Sequence, residues 1–265
     1  MDNIMKDTRH GFIACEITED QHIFGIQQTP LIIQDNGNWR DSFPPFERQA
    51  RAFFDTSGCS IYNTLTPIEI LDRKLFKEDS EYAERFVYIG TNTRPPGNNP
   101  HVIGEWIRKN GLIPESLLPF NDLIQGLNDY ASPNPLIADL IEEGKRWLQR
   151  KTFNHDWIIG KDKTDALKEA LRSSPLGVSV SPLEERGGIY YRTQEQDVHW
   201  TCLVAYEGNA PVIFDSYAPF IKRLEPNFNF GFAKRYSLKR NTDFSTTSRS
   251  TFLQLLGRYF REIMK

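Results

Sequence analysis

From Cys59 onward apolar residues return at helical intervals. Ile61, Leu65, Ile68, Leu71 and Leu75 stand three or four positions apart, which marks one buried helix face. Pro67 falls inside this run, and an interior proline costs about 3 kcal/mol, so a kink or restart is expected near Thr66. Residues 102–109 repeat the helical pattern and close on Asn110-Gly111, a C-cap pair. Residues 136–148 and 164–171 supply two further helices, the second with Asp162 or Thr164 as N-cap.

After Pro175 the period shortens. Residues 176–180, 188–191, 200–206 and 212–214 alternate or run apolar in the manner of strands, and Gly208-Asn209 reads as a hairpin turn. Ahead of Cys59, short apolar runs at 12–15, 23–26 and 31–33 are broken by Asp, Asn, Gly and Pro. There Asp35-Asn36-Gly37-Asn38 reads as a turn and Pro44-Pro45 as an extended connector. Helices followed by an antiparallel sheet predict an α+β fold. One domain is expected over 1–240, with a helical part at about 50–175, a β part from about 1–49 and 176–240, and a cleft between them. Residues 241–265 stand apart. A polar linker leads to Phe252, Leu255, Leu256, Tyr259, Phe260 and Ile263 at helical spacing among Arg249, Arg258, Arg261 and Lys265. This amphipathic basic helix is expected to dock on its own domain or on a partner.

Composition narrows the class. The chain has 265 residues and is 39% hydrophobic, enough for a core without disulfides or structural metal. Basic and acidic side chains number 32 and 35, for a net charge of -3, which argues against a nucleic-acid binder or a disordered polyelectrolyte. No apolar run approaches the roughly 18–20 residues of a membrane span. The start, Met1-Asp2-Asn3-Ile4-Met5-Lys6-Asp7, lacks the basic-then-apolar pattern of a secretion signal. Three cysteines, Cys15, Cys59 and Cys202, make a poor disulfide framework and fit a reducing, cytoplasmic compartment.

The three thiols differ in setting. Cys59 follows Asp55-Thr56-Ser57-Gly58 at a helix start, where free backbone N–H groups favour an anion and Gly58 leaves the sulfur uncovered. Cys15 and Cys202 lie in apolar runs and read as buried. His199 opens one strand and Asp215 closes the next, so the Gly208-Asn209 hairpin brings them near each other. A carboxylate there can hold one ring nitrogen and leave the other for a thiol. The separation of Cys59 and His199 falls in the papain-type window of roughly 130–150 residues. The other histidines, His10, His22, His101 and His155, show no paired spacing, so no zinc site and no cofactor are expected. Gly97-Asn98-Asn99 reads as a turn rather than a phosphate cradle. Trp106 and Trp147 read as core, and Trp200 as part of a cleft wall.

Taken in order, these segments resemble a divergent papain-like (C1-type) cysteine peptidase, nearest in texture to compact, often phage-associated members. Trp39-Arg40 and Phe43-Pro44-Pro45 resemble the lead-in to the family's oxyanion glutamine, here Gln49. Gly58-Cys59-Ser60 with Glu69 resembles the nucleophile helix, and Pro96-Gly97-Asn98-Asn99 the cleft wall. Residues 175–180, Gly187-Gly188-Ile189-Tyr190, the strand from His199 to Tyr206, and Asp215-Ser216-Tyr217 follow the family's later order. The resemblance implies a helical subdomain packed on a β subdomain, with peptide-bond hydrolysis in the cleft. It implies Cys59 as nucleophile, His199 as its acid–base partner, Asp215 as the orienting group and Gln49 as oxyanion donor. Trp200, Gly97 and Asn98 would touch a peptide or protein substrate, and a phage-encoded chain would be virion-associated.

The departures are specific. Gln49 stands ten residues before Cys59, so the intervening chain must loop out. Aspartate replaces the family's asparagine, Tyr217 replaces a tryptophan, and the disulfide cysteines are missing. Little room exists before Trp39 for a long inhibitory segment, so control is expected elsewhere. Two other readings stay open: a transglutaminase-like or other thiol acyltransferase, which also orders Cys, His and Asp, and an inactive papain-like binding or virion structural protein.

Overall fold

The computed structural model describes residues 11–18, 21–25, 31–160, 163–194 and 196–241. Its centre is a six-stranded antiparallel sheet. The strands are β3 (Lys151–Trp157), β4 (Leu176–Val180), β7 (His199–Glu207), β8 (Ala210–Phe214), β9 (Ile221–Arg223) and β10 (Ala233–Arg240), in the spatial order β3-β10-β4-β7-β8-β9. A hairpin of β5 (Leu183–Arg186) and β6 (Ile189–Arg192) stands apart from it, and β1 (Gly11–Phe12) pairs with β2 (Gly97–Asn98). The turn at Gly208-Asn209 joins β7 to β8 as expected, with Cys202 opposite Phe214.

Helix α1 (Cys59–Leu71) lies against β7, and all of its side chains are buried. It is flanked by α2 (Glu84–Gly90), α3 (Pro100–Asn110), the single turn α4 (Leu127–Tyr130) and α5 (Ala138–Arg150), while α6 (Thr164–Leu171) leads into β4. A helix buried on all sides must satisfy its polar groups internally. Thr64 shares a hydrogen bond with the Tyr236 hydroxyl, Tyr62 with that of Tyr130, and Glu69 accepts from the Tyr82 N–H. Ile61, Leu65 and Ile68 of α1 meet Leu176, Val178, Leu203 and Val204 of the sheet in one core.

Four expectations need correction. The restart near Thr66 does not occur: α1 runs unbroken through Pro67 and continues as a π-helical turn, Asp72–Phe76. Packing on every side of the helix outweighs one missing donor. The N-cap of α6 is Lys163, without a side-chain cap bond, and Asp162 lies outside the described residues. Strand β3 arises inside the stretch expected to be helical, and β10 was not foreseen. Both have polar residues at inward positions, Lys151 and His155 in one and Lys234 in the other, which hides the strand period. The expected C-terminal helix at 252–263 lies outside the described residues.

Candidate active site

The site begins with the loop that joins Gln49 to Cys59. Ala50 and Asp55 form an antiparallel bridge, and the Arg51 N–H donates to the Phe54 carbonyl at 2.9 Å. Residues 51–54 therefore loop out, and Gln49 returns beside the loop that leads to Cys59, its carbonyl accepting from the Thr56 N–H at 3.2 Å. Asp55 accepts from the Ser57 N–H at 2.7 Å, and Thr56 Oγ1 from the Gly58 N–H at 3.1 Å. A Cβ on Gly58 would stand 2.9 Å from Thr56 Oγ1, so glycine alone fits this bend. Cys59 follows as the first residue of α1.

His199 opens β7 and Asp215 immediately follows β8. His199 Nε2 donates to Asp215 Oδ1 at 2.7 Å, and the Cys59 sulfur lies near enough to the same ring to act on its charge. The Trp200 N–H donates to Cys59 Sγ at 3.4 Å. Burial alone would lower the His199 pKa, but the Asp215 charge and the Cys59 sulfur overcome it and push it up to about 10. Burial would likewise raise Asp215, yet His199 and Lys222 hold it well below the usual carboxylate range. The structure thus brings Cys59, His199 and Asp215 into one buried row.

Gln49 lies between the loop that leads to Cys59 and the loop after β8. It is fully buried, and its side chain is engaged at both ends. Nε2 donates to Asp55 Oδ1 at 3.0 Å and to the Tyr217 hydroxyl at 2.6 Å, while Oε1 accepts from Ser216 Oγ at 2.7 Å. Tyr217 donates in turn to Asp55 Oδ2. Burial and the Asp55 charge raise the Tyr217 pKa, which keeps it a neutral donor.

The chain's own upstream segment occupies the space over the sulfur. Gly11 and Phe12 pair in parallel with Gly97 and Asn98. The Phe12 N–H donates to the Val198 carbonyl at 3.2 Å, and the Ile13 N–H to the Asn98 carbonyl at 3.1 Å. Ser60 Oγ donates to both the Gly11 and Asn98 carbonyls. The Phe12 ring stacks on Trp200 at 5.4 Å. Cys59 is consequently 0% exposed. Residues 11–13 therefore lie over the sulfur, although no long inhibitory segment was expected before Trp39.

Two other expectations change. Trp200 does not form an open cleft wall. Its indole runs inward over Gly177 toward the Tyr236 hydroxyl, where a Cβ on Gly177 would come within 2.6 Å of the ring. Cys15 is half-buried rather than buried, whereas Cys202 is buried, and that burial raises its pKa. His101 and His155, unpaired by spacing, meet with ring centroids 5.3 Å apart, and Lys234 Nζ lies 2.7 Å from His155 Nδ1. Among the described residues no group of three or more His, Cys, Asp or Glu side chains is placed to hold a metal.

Sequence reasoning missed Asn63 and Lys222. Asn63 Nδ2 donates to the Trp200 carbonyl at 2.7 Å, the Ser216 hydroxyl at 3.1 Å and the Cys59 carbonyl at 3.2 Å, tying α1 to β7 and to the loop after β8. It lies one helical turn beyond Cys59, a spacing that signals a shared face. Lys222 carried no signal, because a lysine between Ile221 and Arg223 reads as solvent-facing.

A helical layer and an antiparallel sheet meeting at a cysteine and a histidine define the papain-like cysteine protease fold. Solved structures with this fold include digestive procathepsin L 3 of the Tenebrio molitor larval midgut (TM-score 0.60, 14% identity, 82% of this chain and 73% of that one). Xylellain, a cysteine protease from Xylella fastidiosa, superposes with a TM-score of 0.61 at 14% identity over 89% of this chain and 97% of its own. The bromelain protease of Ananas comosus gives 0.54 at 11% identity over 76% and 98%. At this identity the likeness is one of fold. No protein-family description and no curated protein sequence matches the chain.

Proposed function

We propose that the protein is a cysteine peptidase whose thiol is Cys59. The observation that carries the reading is the buried group in which Asp215 fixes the His199 ring at 2.7 Å while the N–H of the next residue, Trp200, reaches the Cys59 sulfur at 3.4 Å. Proton transfer from Cys59 to His199 gives a thiolate–imidazolium pair, favoured by the α1 N-terminus. The thiolate attacks a peptide carbonyl, and a C–S bond forms. The C–N bond breaks as His199 gives its proton to the leaving amine, and water then releases the acid from the thioester while His199 takes a proton back. The Cys59 N–H and the Gln49 amide supply the oxyanion donors, each worth on the order of 3 kcal/mol in such sites. Gln49 must first release an N–H from Asp55 or Tyr217. An extended peptide would take the edge offered by Gly97, Asn98 and Val198, which residues 11–13 now fill.

The test is a peptidyl-epoxide thiol probe on the full chain with the adduct mapped. One adduct at Cys59 that is lost in His199→Ala is expected. Adducts spread over Cys15 and Cys202, or an unchanged yield in His199→Ala, would overturn the reading. Asp215 in place of an amide favours a second reading, thiol acyl transfer. Product analysis with a glutamine-containing peptide and excess amine separates transfer from hydrolysis. The covered sulfur favours a third, a papain-like binding protein, for which no adduct forms even after the covering segment is displaced.

A further inference from the structure

We propose that Lys222 is a positioning residue that makes Asp215 a charge-paired support for His199; the inference rests on the peptidase reading above. Both partners are buried, Lys222 to 7% exposure and Asp215 to 2%. Lys222 Nζ donates to Asp215 Oδ2 at 2.7 Å, to the Tyr217 carbonyl at 2.7 Å and to the Pro219 carbonyl at 2.8 Å. All three ammonium hydrogens are therefore used, and the cation has one fixed position. Asp215 divides its oxygens: Oδ1 takes His199 Nε2 at 2.7 Å and the Tyr217 N–H at 3.2 Å, and Oδ2 takes the lysine.

Charge accounting gives the arrangement its meaning. A lone buried carboxylate beside an imidazole is a full negative charge in a poorly screened setting. It would hold the histidine's proton too tightly for release to a leaving amine. The Lys222 ammonium, on the far oxygen, offsets part of that charge while leaving Oδ1 as acceptor, so His199 is oriented by a carboxylate that is already paired. The other titratable groups facing this pair are Cys59 from α1, Asp55 and Tyr217 from the adjoining loops, and Tyr190 from β6, whose ring lies 5.7 Å from Lys222 Nζ. Lys222 is the cation whose contact with Asp215 the structure records.

The experiment is a ring-carbon NMR titration of His199 in the full chain, with Cys59→Ser as the parent so that no thiolate contributes. Lys222→Met should raise the His199 midpoint by about 1–2 units, and Asp215→Asn should lower it by a similar amount. The midpoint of the double variant should lie between those of the two single variants. A purely structural lysine would not give shifts of opposite sign. An unmoved midpoint in Lys222→Met, or both single variants moving the same way, overturns the proposal. If Lys222→Met alone does not fold, the double variant, which buries neither charge, decides. A folded double variant with a midpoint above that of Asp215→Asn supports the proposal, and an unfolded one, or one at or below that midpoint, overturns it. Proton affinity is read here without turnover, so failure of the epoxide experiment and failure of this one are separate results.

Discussion

The Gly11 backbone lies so close to the Cys59 sulfur that a Cβ on Gly11 would stand 3.2 Å from Sγ and 2.3 Å from the Ser57 carbonyl oxygen. The nucleophile proposed above is thus covered by its own chain, at a position where only glycine fits. Among the described residues the cover is held by backbone hydrogen bonds from Phe12 and Ile13, by the Ser60 hydroxyl, and by the Phe12 ring on Trp200 and Phe232, with Cys15 and Ile17 packed beside it.

Phe12 is a buried aromatic ring of that cover, 8% exposed. Burying such a ring is worth roughly 1.5–3 kcal/mol, and each 1.4 kcal/mol is about tenfold in an equilibrium. Phe12→Ala should therefore accelerate alkylation of Cys59 by iodoacetamide about 10- to 100-fold, with Cys202 labelling unchanged as internal control. Equal rates in the two chains would show that the segment is not what limits access.

Gly97 tests the same cover from the opposite side. It has φ +134°, and a Cβ there would lie 2.0 Å from the Gly11 carbonyl oxygen. Gly97→Ala cannot keep the β1–β2 pairing, so it should also speed Cys59 labelling by about tenfold or more. Circular dichroism should stay native, because this two-stranded pair is separate from the main sheet. Labelling no faster than in the unaltered chain would place the barrier elsewhere.

How much of this was legible follows from the kind of signal each part carries. Helix α1, the strands β4, β7 and β8 and the Gly208-Asn209 turn came from apolar periodicity, because their buried faces are mostly carbon. The nearness of His199 and Asp215 followed from one hairpin. The partner strands β3 and β10 were not legible, since buried polar side chains such as Lys151, His155 and Lys234 carry no apolar period. Nor was the cover over Cys59, because a two-residue pairing at Gly11 and Phe12 is set by distant backbone groups rather than by its own pattern. Lys222 failed for the same reason, as its partner lies across a turn.

Buried carboxylates make stability depend on pH with a definite sign. Burial, with the Glu47 charge, pushes Glu115 up to about 8 against an ordinary value of 4.5. Burial and neighbouring acids also raise Glu69 and Glu84. A raised folded-state pKa means that the folded chain binds the proton more tightly. The stabilising contribution is therefore full below about 4.5 and is lost as pH rises through about 8. Glu115→Gln keeps an acceptor for the Phe120 N–H, which Glu115 Oε1 holds at 2.6 Å, but cannot ionise. Urea unfolding at pH 5, 7 and 8.5 should show a shallower pH slope in this variant and a gain of about 1 kcal/mol at pH 8.5, discounted for partial exposure. A slope equal to that of the unaltered chain would mean that Glu115 does not control it.

Lys151 carries the sharpest stability prediction. Its ammonium reaches Asp72 Oδ1 at 2.5 Å, Glu78 Oε2 at 2.7 Å and the Tyr82 hydroxyl at 3.2 Å, joining the end of α1 to the start of β3. Asp72 is 0% exposed, so removing the lysine leaves a buried anion without its cation. Breaking such a pair from one side costs about 3–5 kcal/mol. At about 2–4 °C per kcal/mol for a chain of this size, that lowers Tm by about 10 °C. Lys151→Met should show this loss in thermal unfolding, and Lys151→Met with Asp72→Asn should recover part of it, because the amide needs no counter-charge. A loss below about 1 kcal/mol would mean that the Lys151–Asp72 pair does not carry this stability.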